Sequence, residues 1–303
     1  MMNLWNGYHY IFDTYGDPRV KGWFLMSSPF PTIAISLIYA ITVTKIGPKL
    51  MENRKPFQLR KTIIAYNFIQ VLLSIFLFHE ACVNGWLTFY SYTCQPVDFS
   101  NNPVALRTVR GCYLYFLSKF FEFLDTAFFV LKKNNHQISA LHVIHHGIMP
   151  MSVWWGVKFF PGGNSTFFGF LNTFVHIIMY SYYLVAALGP QYKKYLWWKK
   201  YLTLLQMVQF TLVGIHAAQL LFIECDYPKV FVYLIFSHAL MFLYLFSKFY
   251  DRSYKRDDKK PAVNGVDVSE KKSKHAVNNN TLTTMCFPGQ DTLFDERANA
   301  KVK

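Results

Sequence analysis

Long apolar blocks separated by short polar stretches organise this chain. They fall at 31–46, 62–82, 112–131, 138–156, 165–188, 201–223 and 229–249. A helix needs about 20 apolar residues to cross a bilayer core, and each block reaches that length, the first with its flanks. The pattern predicts an all-α membrane protein with seven transmembrane helices spanning a domain 29–250. A polar-aromatic segment, 1–28, containing DPRV and WFLMSSP, precedes it as an ordered preamble at the membrane interface. The tail 251–303 is rich in Lys and Asn and poor in aromatics, and reads as disordered.

Composition agrees: 52% of the 303 residues are hydrophobic and only 16% charged, against roughly 25% in soluble domains. The net charge of +14 sits mostly in short separate loops. That argues against nucleic acid and for anionic headgroups or phosphate-bearing ligands. Lys45, Lys49, Arg54, Lys55, Arg60 and Lys61 follow the first span; Lys132 and Lys133 follow the third; Lys193, Lys194, Lys199 and Lys200 follow the fifth. Basic loops stay cytoplasmic, so the N-terminus is expected in the lumen and the C-terminus in the cytosol. The first thirty residues hold Asp13, Asp17 and Pro18 and no apolar core of a cleavable signal. The final KVK resembles a lysine-rich retrieval signal of the endoplasmic reticulum.

This topology puts Cys94 and Cys225 on the oxidising lumenal face, where a disulfide between them is expected. Cys82 and Cys112 lie near span ends, and Cys286 in the tail should stay reduced. Asn164-Ser165-Thr166 is a glycosylation sequon in a loop too short for its use.

Polar residues inside the apolar blocks carry the chemistry. HVIHH places His142, His145 and His146 at i, i+3 and i+4, on one helix face. Three imidazoles in hydrocarbon are costly unless they face a protein interior or a wet cavity. KFFEFLDT puts Lys119, Glu122, Asp125 and Thr126 on one arc of the third span. Lys119 and Glu122 read equally as a helix-locking ion pair, and Asp125 is left to orient a histidine. NTFVHIIMYSYY aligns Asn172, His176, Tyr180 and Tyr183, and TLLQMVQF aligns Thr203, Gln206 and Gln209, donors for an acyl carbonyl or interhelical glue. His79, Glu80, His216 and His238 stand alone and read as structural. In this topology His145 lies about 10 Å, two turns, below the cytosolic surface. The polar groups then converge in the cytosolic half above an apolar interior, which suits an amphiphile with a charged head and an alkyl chain.

Two chemistries fit the histidines. Imidazoles at this spacing bind iron or zinc, as in histidine-box desaturases and hydroxylases, although one box plus His176 is few ligands for a di-iron centre. Alternatively, a neutral imidazole attacks a thioester to give an acyl-imidazole that a carbon nucleophile captures. A seven-helix receptor or channel would leave the buried ionisable residues unexplained.

KFFEFLDT, HVIHH, NTFVHIIMYSYY and TLLQMVQ, in that order, together with DPRV and KPFQLRK…YN..QV upstream, resemble the signature blocks of the ELO family, the elongases of very-long-chain fatty acids. The resemblance covers about residues 15–250. It implies condensation of acyl-CoA with malonyl-CoA to 3-ketoacyl-CoA, CO₂ and CoA in the endoplasmic reticulum membrane. It further implies six of seven helices forming a barrel around an acyl tunnel, and no metal or other cofactor. Partners would be the two CoA thioesters, the bilayer, the reductase and other enzymes of the elongation cycle, and a second copy in a homo-oligomer. His145 is then the nucleophile, a choice resting on the family. His176 assists, His142, His146 and Asp125 orient, and Lys119, Glu122, Asn172, Tyr180, Tyr183, Gln206 and Gln209 contact substrate.

Overall fold

The structure, a computed structural model, describes residues 4–255; the tail from 256 on, with Cys286 and KVK, lies outside them. Ten α-helices make up most of it. In chain order they are α1 Leu4–Thr14, α2 Pro29–Ile41, α3 Gly47–Met51, α4 Arg60–Ala81, α5 Pro103–Phe121, α6 Phe123–Leu131, α7 Ala140–Phe159, α8 Thr166–Ala187, α9 Lys199–Gln219 and α10 Lys229–Tyr250. No strand occurs among the described residues. Helix starts follow local chemistry. Asn102 caps α5, its side chain accepting from Ala105 N at 2.8 Å ahead of Pro103 at the first turn. Ser139 caps α7 by accepting from His142 N at 3.2 Å, which fixes where the histidines fall on the helix.

Five helical stretches are long and apolar enough to cross a membrane: Pro29–Met51, Arg60–Trp86, Gly163–Ala187, Lys199–Gln219 and Lys229–Tyr254. The sequence pattern predicts seven. The other two blocks are helical, but they carry the buried polar residues, which lower their apolarity. The block at 112–131 is moreover interrupted at Glu122, where α5 gives way to α6 and Asp125 N bonds Glu122 O at 3.2 Å. Outward faces of the long helices expose Leu37, Ile38, Phe68, Ile69, Leu72 and Ile215, a surface suited to lipid. The chain is therefore a multi-pass membrane protein.

Side by side, α4 packs along α8 and α5, α8 along α9, α9 along α10, and α7 against α2, α5 and α10. The segment expected as an interfacial preamble docks onto the helices. Phe12 of α1 packs on Trp154, Trp155 and Phe159, while Val20 and Met26 are fully buried with Val109 and Phe116.

Connecting segments gather at two ends. At one, Arg60 donates to the carbonyls of Ala187 and Leu188, and Lys133 Nζ to those of Glu52 and Arg54. At the other, Cys94 and Cys225 form a disulfide with Cα atoms 5.6 Å apart. There Arg19 donates to the carbonyls of Asp98 and Ser100, and Asn164 N to Gln95 O at 2.8 Å. Gly163, at φ 62°, makes that last contact feasible, since a Cβ would lie 2.8 Å from Gln95 O. Asn164 itself is buried, so its sequon amide is not presented to solvent.

Candidate functional site

Capped at Ser139, α7 turns His142, His145 and His146 inward together. The rings of His142 and His146 are 4.3 Å apart, those of His145 and His146 5.1 Å. Their surroundings differ. His142 Nε2 shares a 2.7 Å hydrogen bond with the Thr126 hydroxyl, which shares another with Tyr39 of α2. His146 is buried and its Nδ1 has no hydrogen-bond partner. His145 is half-buried, lies edge-on to Phe242 at 5.0 Å, and has neither ring nitrogen in a hydrogen bond. Its lone pair is uncommitted.

The α5–α6 junction supplies the ionised groups. Lys119 Nζ donates to Glu122 Oε1 at 2.5 Å and to Asn172 Oδ1 at 3.3 Å, and lies 4.3 Å above the Tyr115 ring. Tyr115 also donates to Asn172 Oδ1, at 2.7 Å. His176 Nδ1 is 3.5 Å from Glu122 Oε1. Lys119 and Glu122 are 2% and 3% exposed, as a pair that must offset each other's desolvation. They hold α5 to α8, and neither presents a free charge to a substrate.

Asp125 corrects an expectation, because it is not hydrogen-bonded to a histidine. It accepts from Tyr180 at 2.8 Å, and its neighbour Thr126 holds His142 instead. Tyr180 also accepts from Gln70 at 3.3 Å, and Gln70 donates to Tyr66 at 2.9 Å. Tyr39, Tyr66 and Gln70 thus complete a network that the sequence reading did not assign. For Tyr66 and Gln70 the signal was present, two polar residues four apart in an apolar block; a lone Tyr39 gives none. Tyr183 packs on Tyr180 and, with Asp125 and Lys132, lines a small cleft at the basic end. Gln206 and Gln209 are buried on α9 away from this network. Gln206 Nε2 points at Met179 Sδ at 3.5 Å, while Gln206 Oε1 and Gln209 Nε2 have no partner.

Beyond the histidines an apolar cavity, partly open to the outside, runs between the helices. Met149, Phe242 and Tyr115 line it near the imidazoles; Tyr90, Phe160 and Ser165 line it at the disulfide end. Its few polar wall groups are themselves paired. Glu80 accepts from Arg107 Nε and Nη2 at 2.6 Å each, and His238 Nε2 meets Ser152 Oγ at 2.8 Å. Among the described residues no group of three or more His, Cys, Asp or Glu side chains is arranged to hold a metal ion.

The model of the ELO: GNS1/SUR4 family matches residues 24–262. A very long chain fatty acid elongase of Aedes aegypti is 61% identical over 264 residues, 87% of this chain and 74% of that protein. Very long chain fatty acid elongase 7 of Drosophila melanogaster is 60% identical, covering 86% of this chain and 79% of the relative. Its namesake in Rattus norvegicus is 51% identical, covering 86% and 92%.

Proposed function

We propose a specific chemistry for a chain that belongs to the ELO family of very long chain fatty acid elongases: condensation of a long-chain acyl-CoA with malonyl-CoA through an acyl-histidine intermediate. His145 attacks the thioester carbonyl, the carbon–sulfur bond breaks, and CoA leaves as the thiol, taking the imidazole proton. Malonyl-CoA then loses CO₂, its enolate carbon attacks the acyl-imidazole, the nitrogen–acyl bond breaks, and the departing imidazole nitrogen takes up a proton from water. This returns His145 and releases 3-ketoacyl-CoA.

The observation that carries this reading is the uncommitted ring of His145 packed against Phe242, a residue of the apolar cavity's wall. Two of its neighbours are tied, His142 to Thr126 and His176 against Glu122, while His146 is buried beside it. They hold the nucleophile's surroundings rigid, with His176 placed to stabilise the developing oxyanion. Asn172 keeps its amide N–H groups, its oxygen being taken by Tyr115 and Lys119. The acyl chain occupies the cavity. The CoA phosphates meet the basic loops, which face the cytosol of an endoplasmic reticulum membrane in a seven-span topology. The packing sequence α4–α5–α7–α10–α9–α8–α4 supports a six-helix barrel, with α2 on the outside of α7.

The metal-dependent alternative is not favoured, because His142 is already hydrogen-bonded and the donors do not converge. Intact-protein mass spectrometry after incubation with acyl-CoA alone tests the reading. The expected result is a single acyl adduct, insensitive to chelator and lost in His145→Ala together with about 1000-fold of the condensation rate. A wild-type protein that turns over yet never carries the adduct would overturn it.

A further inference from the structure

At the disulfide end, beside the acyl cavity, a small pocket is enclosed by α8, α9, α10 and the segment before α10. Ser165, Phe168, Val213 and Ile235 line both spaces. Three polar side chains face the small pocket: Asn164, His216 and Tyr227, exposed by 4%, 8% and 4%. Each keeps one atom without a hydrogen-bond partner, namely Asn164 Oδ1, His216 Nε2 and Tyr227 Oη. A buried polar group left unpaired costs about 1–3 kcal/mol, so three lining one pocket point to an absent oxygen.

The donor set says which kind. Asn164 Nδ2 faces His216 Nδ1 at 3.5 Å. With Nδ1 accepting, His216 carries its proton on Nε2 and donates into the pocket. Asn164 Oδ1 accepts there, and the Tyr227 hydroxyl does either. The imidazole is fixed in this pose, stacked on Phe167 at 3.9 Å and edge-on to Trp86 at 5.3 Å. One donor, one acceptor and one amphoteric hydroxyl match a neutral alcohol oxygen. No Lys, Arg, Asp or Glu lines the pocket, so a carboxylate or phosphate has no counter-charge.

We infer that this pocket receives a hydroxyl at the tail end of the acyl chain, so that the protein elongates ω-hydroxyacyl-CoA, with a water taking the same place when the tail is a methyl. The inference rests on the elongase reading, since it needs the acyl chain to lie in the cavity.

Matched pairs of ω-hydroxy and unsubstituted acyl-CoA across a range of lengths, assayed with labelled malonyl-CoA, test it. The wild type should show a length at which kcat/KM for the hydroxy chain is within about threefold of its alkyl twin. Tyr227→Phe removes only an unpaired hydroxyl and so carries little folding risk; His216→Phe removes the donor. In both, the hydroxy-to-alkyl ratio measured on the same preparation should fall, by about tenfold for His216→Phe. A penalty of about tenfold or more on the hydroxy chain at every length in the wild type, or a ratio unmoved in both variants, would overturn the assignment and leave a pocket for water alone. No product from either twin would overturn the elongase reading, and this one with it.

Discussion

The two ends of the helical bundle bury polar groups in opposite ways. Around the histidines the polar side chains are chained together: Lys119 to Glu122 and Asn172, Asp125 to Tyr180, Tyr180 to Gln70, Thr126 to His142 and Tyr39. At the disulfide end the loops are stitched by Cys94–Cys225 and by bonds to backbone carbonyls, while Asn164, His216 and Tyr227 inside keep open valences. The first arrangement fixes most side chains in a network and leaves the rings of His145 and His146 outside it. The second fixes the backbone, and its side chains wait for a ligand. Rigidity for chemistry is placed in side-chain networks, and rigidity for enclosure in the connections.

The largest effect should come from cutting the first network at its charge. Lys119→Met leaves Glu122 buried at 3% exposure with its cation gone and the Asn172 oxygen short of a donor. Removing one partner of a buried pair costs about 3–5 kcal/mol. Thermal unfolding in detergent should show a drop of that size, and Lys119→Met with Glu122→Gln should regain much of it, because the uncompensated charge has gone. A Lys119→Met protein as stable as wild type would show that the pair is not the lock between α5 and α8.

How much of this was legible in the sequence follows from where the partners lie. Groups on one helix were readable by spacing alone, which is why the His142–His145–His146 face and the Lys119–Glu122 pair stood out before any fold was known. The alternation of basic loops put Cys94 and Cys225 on the same side. Hydrogen bonds between helices were not readable, because they depend on which helices become neighbours. Asp125 was assigned to a histidine because the Lys119–Glu122 pair left it over, whereas the structure gives it Tyr180 of α8 and gives His142 the adjacent Thr126. His216 and Asn164, 52 residues apart, looked structural or unused singly, and only their meeting makes a pocket. The interruption at Glu122 escaped notice because a run of apolar residues does not record a one-residue break in its hydrogen bonding.

A smaller effect separates the two ends. Cys94 and Cys225 are 131 residues apart in sequence, and losing a bridge that closes so long a loop costs about 2–4 kcal/mol. Cys94→Ser, or reductant, should lower the unfolding midpoint accordingly. Below that midpoint the acyl adduct on His145 should still form at the wild-type rate, since the disulfide shares no contact with the histidine network. A rate that falls in step with stability would mean that the ends are mechanically coupled and that enclosure also tunes the chemistry.

The smallest effect concerns how the loop before α5 is held. Asp98 Oδ1 accepts from Ser100 N at 2.8 Å and Oδ2 from Asn102 Nδ2 at 2.8 Å, and Asn102 in turn caps α5. Hydrogen bonding from Ser100, side chain first and then backbone, holds the Asp98 carboxyl below its ordinary value of 3.8, with lesser help from Asn102 and the nearby Arg19. A lowered folded-state value means that this stabilisation is complete above the unfolded value and is lost as pH falls through the folded one. Because the group is largely solvent-exposed, the contribution is a few tenths of a kcal/mol. Asp98→Asn keeps the shape but not the charge. Its stability deficit should therefore be constant from about pH 5 to pH 8 and should shrink as the pH falls below the ordinary carboxyl value, leaving the histidine end untouched throughout. A deficit that stayed unchanged as the pH fell through the carboxyl range would show that the loop is held by the hydrogen-bond geometry around Asp98 and not by its charge.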